Sequence, residues 1–285
     1  MELVKIAGPL ILAFIMFSLG IGLTLENFKR VFYQPKDFFV GAFSQVILFP
    51  LVALCLILFI PISIELKVGL MLLAAAPGGV TTNIISKFAD GDVALSISLT
   101  AVISLICFLS IPLIFSLTYP MITGQSLPFD YSISSIIVQI FLITTVPVIL
   151  GMIFKKIFPN FFARTERFFV NFSFILFLIF LFLAIYQELD SIVDYFAASG
   201  LITLILNIVV VIAAFLLCGI FNIEKAQKRT ILIETGLQNG TLAIVVIGLI
   251  FNDPIYLVPT ATYALIMYAV IFVYVIGLKF NKSSS

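Results

Sequence analysis

The sequence predicts an all-α polytopic membrane protein with nine transmembrane helices, two of which break and cross at mid-membrane. Three observations predict it. Hydrophobic residues make up 62% and charged residues 10% of 285 positions, with a mean hydropathy of +1.28, far outside the range of soluble domains. Runs of about 20 apolar residues, enough to cross a bilayer as a helix, recur along the whole chain. Two of these runs are interrupted near their centres by polar stretches containing glycine, Ala76 to Asn83 and Glu234 to Thr241.

Bounded by charges, Pro, Gly or Asn, the spans run approximately Leu3 to Thr24, Asp37 to Ile60, Leu66 to Phe88, Asp92 to Thr118, Tyr131 to Lys156, Arg167 to Glu188, Ala198 to Phe221, Ala226 to Phe251 and Ile255 to Lys279. The first is longer than a signal-peptide core and lacks a small-x-small cleavage site. Nine alternating spans assign each loop to one of two sides. Lys5 and Lys67 fall on one side, and the other thirteen of the fifteen basic residues fall on the opposite side, from Lys29, Arg30 and Lys36 to Lys279 and Lys282. By the positive-inside rule this split places the N-terminus outside and the C-terminus inside.

In the third span, Pro77 removes a backbone donor and Gly78 and Gly79 follow it, so the helix breaks there. The eighth span carries a carboxylate, Glu234, near its centre, at the end of a first arm of nine residues from Ala226 and ahead of a second, mostly apolar arm of eleven from Thr241 to Phe251. The two breaks lie in spans three and eight, an odd shift of five, so the broken helices enter from opposite sides. Spans one to four and six to nine then form two halves of inverted topology, a design of transporters that gathers half-helix ends at the bilayer midplane. The N-terminal ends offer N–H groups and the C-terminal ends offer carbonyls, so an anion and a cation can bind close together. The plainer alternative is a kinked helix and a buried polar patch satisfied by its neighbours.

Several chemistries are excluded. The chain has no histidine, which removes imidazole bases and ligands. Cys55, Cys107 and Cys218 lie in apolar runs with neither disulfide nor zinc spacing. Asp90 and Asp92 sit at a span boundary, where they cap the fourth span, and no hydrolase motif is present. No catalytic residue, nucleic-acid partner or obligate oligomer is expected. Glu234 is the one acidic residue near mid-membrane, and the nearest basic residue in sequence, Arg229, precedes it by five positions. A central acid costs roughly 2.5–3.5 kcal/mol unless paired, and Glu234 has two options, exchange of a proton or ligation of a cation.

At these residues the sequence resembles the bile acid:sodium symporter family in its bacterial branch. The likeness rests on Pro77-Gly78-Gly79 with Thr82-Asn83, on Gly91-Asp92-Val93-Ala94-Leu95-Ser96 with Thr100 beyond, on Glu234-Thr235-Gly236-Leu237-Gln238-Asn239, and on the run Met16 to Leu25. It covers nearly the whole chain, as in the nine-span members of the family. The resemblance implies a panel domain, about residues 3–24 and 131–188, and a core domain, about 37–118 and 198–279, that move against each other. It implies a bacterial inner-membrane symporter of an organic anion, acting as a monomer among lipids, and two sodium sites. The first uses side-chain oxygens of Thr82, Asn83, Ser96, Thr100 and Glu234. The second uses Gln45, Glu234 and Gln238 with the backbone carbonyls of Thr235 and Leu237.

The residue chemistry agrees, because a hard cation stripped of water takes several oxygen ligands, and Ser96 and Thr100, four apart, share a helical face. Each has a plainer fate: Ser96 and Thr100 back-bonding to their own helix, Gln45 in a simple interhelical hydrogen bond. An anionic head belongs at the N-termini of the second half-helices, at Val80 and Thr81 and at Asn239, Gly240 and Thr241. Val80 takes a place where relatives often carry a hydroxyl. The phenylalanine run Phe168, Phe169, Phe172, Phe174, Phe177, Phe180 and Phe182 divides between substrate body and lipid, with lipid taking most of it.

Overall fold

The computed structural model describes residues 2–79, 81–127, 132–186 and 192–283; Val80, Tyr131 and the end of the sixth predicted span at 187–188 lie outside them. Among the described residues every named element is a helix, with no named strand. The helices are α1 (Glu2–Gly22), α2 (Leu25–Tyr33), α3 (Pro35–Phe43), α4 (Phe49–Phe59), α5 (Ile64–Ala75), α6 (Thr81–Phe88), α7 (Val93–Thr123), α8 (Ile133–Ile143), α9 (Thr145–Ile157), α10 (Pro159–Tyr186), α11 (Ile192–Ile220), α12 (Lys225–Gly236), α13 (Gly240–Ile250) and α14 (Val258–Ser283). Among the described residues six stretches are long and apolar enough to cross a membrane: Lys5–Gly22, Pro35–Phe59, Val93–Thr123, Ile133–Ile157, Phe196–Ile220 and Pro254–Phe280.

Local chemistry sets the boundaries. Ser63 caps α5 and Asp92 caps α7, accepting from Leu66 N at 3.4 Å and Leu95 N at 3.0 Å. Asp92 is the cap expected from the sequence; Asp90 instead takes a left-handed turn at φ 52°. Gly124 ends α7 at φ 70°. Between α3 and α4, Ser44–Leu48 forms one π turn, with Phe49 N donating to Ser44 O. Pro50 lacks the N–H that an α-helix would send back one turn, and the π turn absorbs that defect. It also sets the direction of Gln45. Thr144 divides α8 from α9, with Pro147 just beyond it.

Two features were not read from the sequence. The loop after the first span is the helix α2, without a buried residue and with Phe32 and Tyr33 exposed beside Lys29 and Arg30, as an interfacial helix would be. Arg30 pairs with Asp92, tying α2 to the start of α7. In addition α10 begins at Pro159, eight residues before the apolar run, because Lys155 and Glu166 pair at 3.2 Å and keep the charged first turns helical.

Helix α1 packs on α9 and α10, and its other side meets α13. A Cβ added at Gly20 would stand 2.1 Å from Val148 O, and one at Gly151 would stand 2.3 Å from Phe17 O, so the α1 and α9 backbones touch. Phe14 and Phe17 interlock with Phe154, Phe169 and Phe172 around them. Replacing Gly151 by Val therefore lowers the melting temperature of the detergent-purified protein, by overpacking of about 1–3 kcal/mol or more; unchanged melting would contradict this contact. Helix α11 lies along α14 and α12, and α5 lies along α7, α4 and α13.

Candidate cation and substrate site

Two breaks meet at the centre of the protein. Pro77 to Gly79 separates α5 from α6, and Leu237 to Asn239 separates α12 from α13. Gly78 and Gln238 form an isolated antiparallel bridge, and Asn239 N donates to Pro77 O at 2.7 Å. These backbone bonds satisfy groups that a broken helix would otherwise leave unpaired in an apolar interior. The interruption is thus a true break, and a simple kink is ruled out. Glycine is required at position 78, where an added Cβ would lie 2.9 Å from Glu234 Oε2 and 3.2 Å from Gln45 Nε2.

Glu234 is fully buried in the last turn of α12. Its Oε2 accepts from Gln45 Nε2 at 2.8 Å. Its Oε1 is approached by three hydroxyls: Thr82 Oγ1 at 2.5 Å, Thr100 Oγ1 at 3.4 Å and Ser96 Oγ in a shorter contact. Ser96 Oγ also lies 2.8 Å from Asn83 Oδ1, and Thr82 Oγ1 lies 2.7 Å from Gly79 O. Ser96 and Thr100 therefore turn inward to the carboxylate, away from their own helix. Gln45 makes the interhelical hydrogen bond, and makes it to Glu234.

Counting protons shows what the cluster lacks. A hydroxyl has one hydrogen to donate, yet Thr82 and Ser96 each face two acceptors. Turning the Asn83 amide end for end would relieve Ser96, and Gly79 O already accepts from Thr82 N at 3.1 Å. Gln45 Oε1 and Gln238 Oε1 are buried acceptors with no donor among the described residues. No ion pair reaches Glu234 among the described residues. A pocket with one carboxylate and a surplus of neutral oxygens fits a hard monovalent cation, or a proton on Glu234, and not a transition metal, which seeks nitrogen, sulfur or several carboxylates. Among the described residues no three His, Cys, Asp or Glu side chains gather as such a metal needs.

The rest of the expected set falls around this cluster. Thr235 Oγ1 bonds back to Ile231 O at 2.7 Å, leaving its carbonyl to accept from Gln238 Nε2 at 3.0 Å. Leu237 is extended, with φ −112° and ψ 111°. A cavity of about 370 Å³ is lined by Thr81, Asn83, Gln238, Asn239, Gly240 and Thr241 from the breaks and by parts of α1, α10 and α14. Four of the five residues expected at the anion subsite thus line one cavity; the fifth, Val80, lies outside the described residues. Free N–H groups are fewer there than the sequence suggested. Asn239 Oδ1 caps Leu242 N at 3.0 Å and Gly240 N bonds Gln238 O at 3.0 Å, which leaves Thr241 N open among the first three of α13. Side-chain donors fill the gap. Thr81 Oγ1 and Tyr268 Oη lie 3.1 Å apart, and both line the cavity.

Sequence reasoning missed Tyr268, Asn171, Ser18 and Glu166, which also line it. Asn171 carried a legible signal, being an amide inside the apolar run of α10. Of the phenylalanines, Phe174 and Phe177 line the cavity, while Phe168, Phe172 and Phe182 are exposed as lipid contacts would be. Phe180 is buried against Gly8, and Phe169 stacks with Phe14.

The sequence profile described as the Sodium Bile acid symporter family matches residues 9–195. The chain belongs to this family. It is 27% identical over 254 residues to the protein named Probable sodium/metabolite cotransporter BASS2, chloroplastic, of Oryza sativa subsp. japonica, across 88% of this chain and 58% of that protein. It is 26% identical over 259 residues to the Uncharacterized sodium-dependent transporter YocS of Bacillus subtilis (strain 168), across 89% of this chain and 77% of that one. A third relative, Probable sodium/metabolite cotransporter BASS1, chloroplastic, of Arabidopsis thaliana, is 27% identical over 247 residues, across 86% and 60%. The chain therefore spans less than two thirds of the two plant relatives' length.

Proposed function

We propose that this member of the sodium bile acid symporter family is a sodium-coupled symporter of an organic anion, working by alternating access. The observation that carries the reading is the Glu234 cluster, whose acceptors outnumber its protons. Two sodium ions bind behind the crossing. The first takes Thr82, Asn83, Ser96, Thr100 and Glu234. The second takes Gln45, Glu234, Gln238 and the carbonyls of Thr235 and Leu237. The anion binds in front, against Thr81, Asn239, Gly240 and Thr241, with Val80 beside them.

In this reading the six long apolar stretches, α10 and the two broken pairs α5/α6 and α12/α13 make nine crossings in two inverted halves, oriented N-terminus outside in a bacterial inner membrane. The panel, about 3–24 and 131–188, moves against the core, about 37–118 and 198–279. The cavity takes the end of α1 from Ser18 to Leu23 and the stretch of α10 from Glu166 to Phe177, both next to the basic loops. At the opposite end α1 meets the core through Val245 of α13: a Cβ added at Gly8 would stand 3.0 Å from Val245 Cγ2. This supports a state open toward the basic, cytoplasmic side.

Carrying two sodium ions with one monovalent anion moves one net positive charge, so the membrane potential adds about 2.3 kcal/mol per 100 mV. Proteoliposomes screened with labelled organic anions take up the right one under an inward sodium gradient. At fixed pH, full uptake with potassium in place of sodium would defeat sodium coupling. Uptake that follows an imposed pH gradient instead would favour the proton, the other species the cluster can hold.

A further inference from the structure

The carbonyl of Gly236 ends α12 and has no partner within that helix. Two side chains hold it from outside. Asn207 Nδ2, at the middle of α11, donates to Gly236 O at 2.8 Å, and Tyr263 Oη on α14 donates to the same oxygen at 3.0 Å. Asn207 Nδ2 also donates to Tyr263 Oη at 2.7 Å, closing a triangle. Both side chains are fully buried. The helix end is pressed against the same two helices, since a Cβ at Gly236 would lie 2.8 Å from Ile271 Cδ1 and 3.0 Å from Val211 Cγ2.

The amide is oriented for donation at some expense. Asn207 Oδ1 is buried with no partner among the described residues, a cost that a residue placed only to fill space would not carry. What the donation secures is the direction of Gly236 O. Its chain neighbours are Thr235 O and Leu237 O, the carbonyls assigned above to the second sodium. Leu237 is extended, and successive carbonyls along extended backbone point to opposite sides. Drawing Gly236 O toward α11 and α14 leaves Leu237 O to face away from them.

We infer that Asn207 and Tyr263 are positioning residues for the second cation, clamping Gly236 O so that the flanking carbonyls are held in ligating directions. The inference rests on the sodium reading, and it places the supporting groups on helices that carry none of the proposed ligands. Outer groups of this kind change metal affinity without touching the metal.

The test is equilibrium binding of radioactive sodium to the purified full chain at constant ionic strength, with melting temperature in sodium-free buffer read in parallel. Asn207→Ala weakens one of two sodium sites roughly 10- to 100-fold. Tyr263→Phe, which keeps the ring against Phe49, weakens the same site by a smaller factor and keeps the wild-type melting temperature. Thr203→Val is the control, because the Thr203 hydroxyl only bonds back to Ser199 O and Gly200 O on α11; it binds sodium as the wild type does. Should Asn207→Ala not fold, Tyr263→Phe decides alone. Sodium binding by the wild type with unchanged affinity in Tyr263→Phe and in any folded Asn207→Ala overturns the positioning role and leaves the sodium reading standing. No saturable sodium binding by the wild type overturns both.

Discussion

Replacing Glu234 by Gln abolishes sodium-driven uptake and lowers sodium affinity more than about 100-fold. The residue is fully buried and supplies the one formal charge in the oxygen cluster. Removing one charge from a buried pair costs about 3–5 kcal/mol, and each 1.4 kcal/mol is a factor of about ten in affinity. Glutamine keeps the shape of the side chain, and Thr82, Ser96 and Thr100 can rotate to suit an amide, so the fold survives. A sodium titration of the purified variant, followed by its melting temperature, checks this. A folded Glu234→Gln protein with wild-type sodium affinity would show that the carboxylate does not ligate the ion.

Replacing Gly78 by Ala has a comparable effect through geometry alone. The added Cβ would lie 2.9 Å from Glu234 Oε2, 3.2 Å from Gln45 Nε2 and 3.2 Å from Glu234 O. Two of these atoms end side chains that hydrogen-bond each other, and the third is backbone. Glu234 is held by Gln45 and three hydroxyls, and its carbonyl belongs to α12. The methyl group must push the carboxylate off its donors or part Gly78 from Gln238. Displacing groups that orient a metal ligand costs roughly 10- to 100-fold in affinity, so sodium-dependent uptake falls by at least about tenfold. Gly277→Ala is the matched control, since a Cβ there meets nothing within 4 Å. Equal uptake by the two variants would contradict the close packing of the crossing.

The all-helical character and the two helix breaks were legible because hydropathy and chain punctuation act locally. Pro77 with its two glycines, and Glu234 inside an apolar run, marked both breaks before any contact was known. The inward turn of Ser96 and Thr100 was legible only in part: a four-residue spacing puts both on one face, but only Glu234, 134 residues beyond Thr100, pulls them from their own helix. Gln45 is a similar case, since its direction depends on a π turn imposed by Pro50. Asn207 gives the same sequence signal as Gln45, a lone amide in an apolar helix, yet its role depends on Tyr263 and Gly236 meeting it in space. Tyr268 gave no signal, because a tyrosine in the last helix reads equally well as an interfacial ring. Helix α2 escaped because nine residues with no buried side chain carry no apolar run, and their helicity comes from interfacial amphipathicity.

Coupling itself is tested most directly by running the cycle backwards. In a symporter, an inward gradient of the transported anion must drive sodium uphill, because the two move on one carrier and the thermodynamic linkage is reciprocal. Wild-type proteoliposomes holding equal sodium inside and out, at fixed pH and clamped potential, should accumulate radioactive sodium when the anion is added outside, and Glu234→Gln proteoliposomes should not. Anion entry with no sodium accumulation by the wild type would contradict the account.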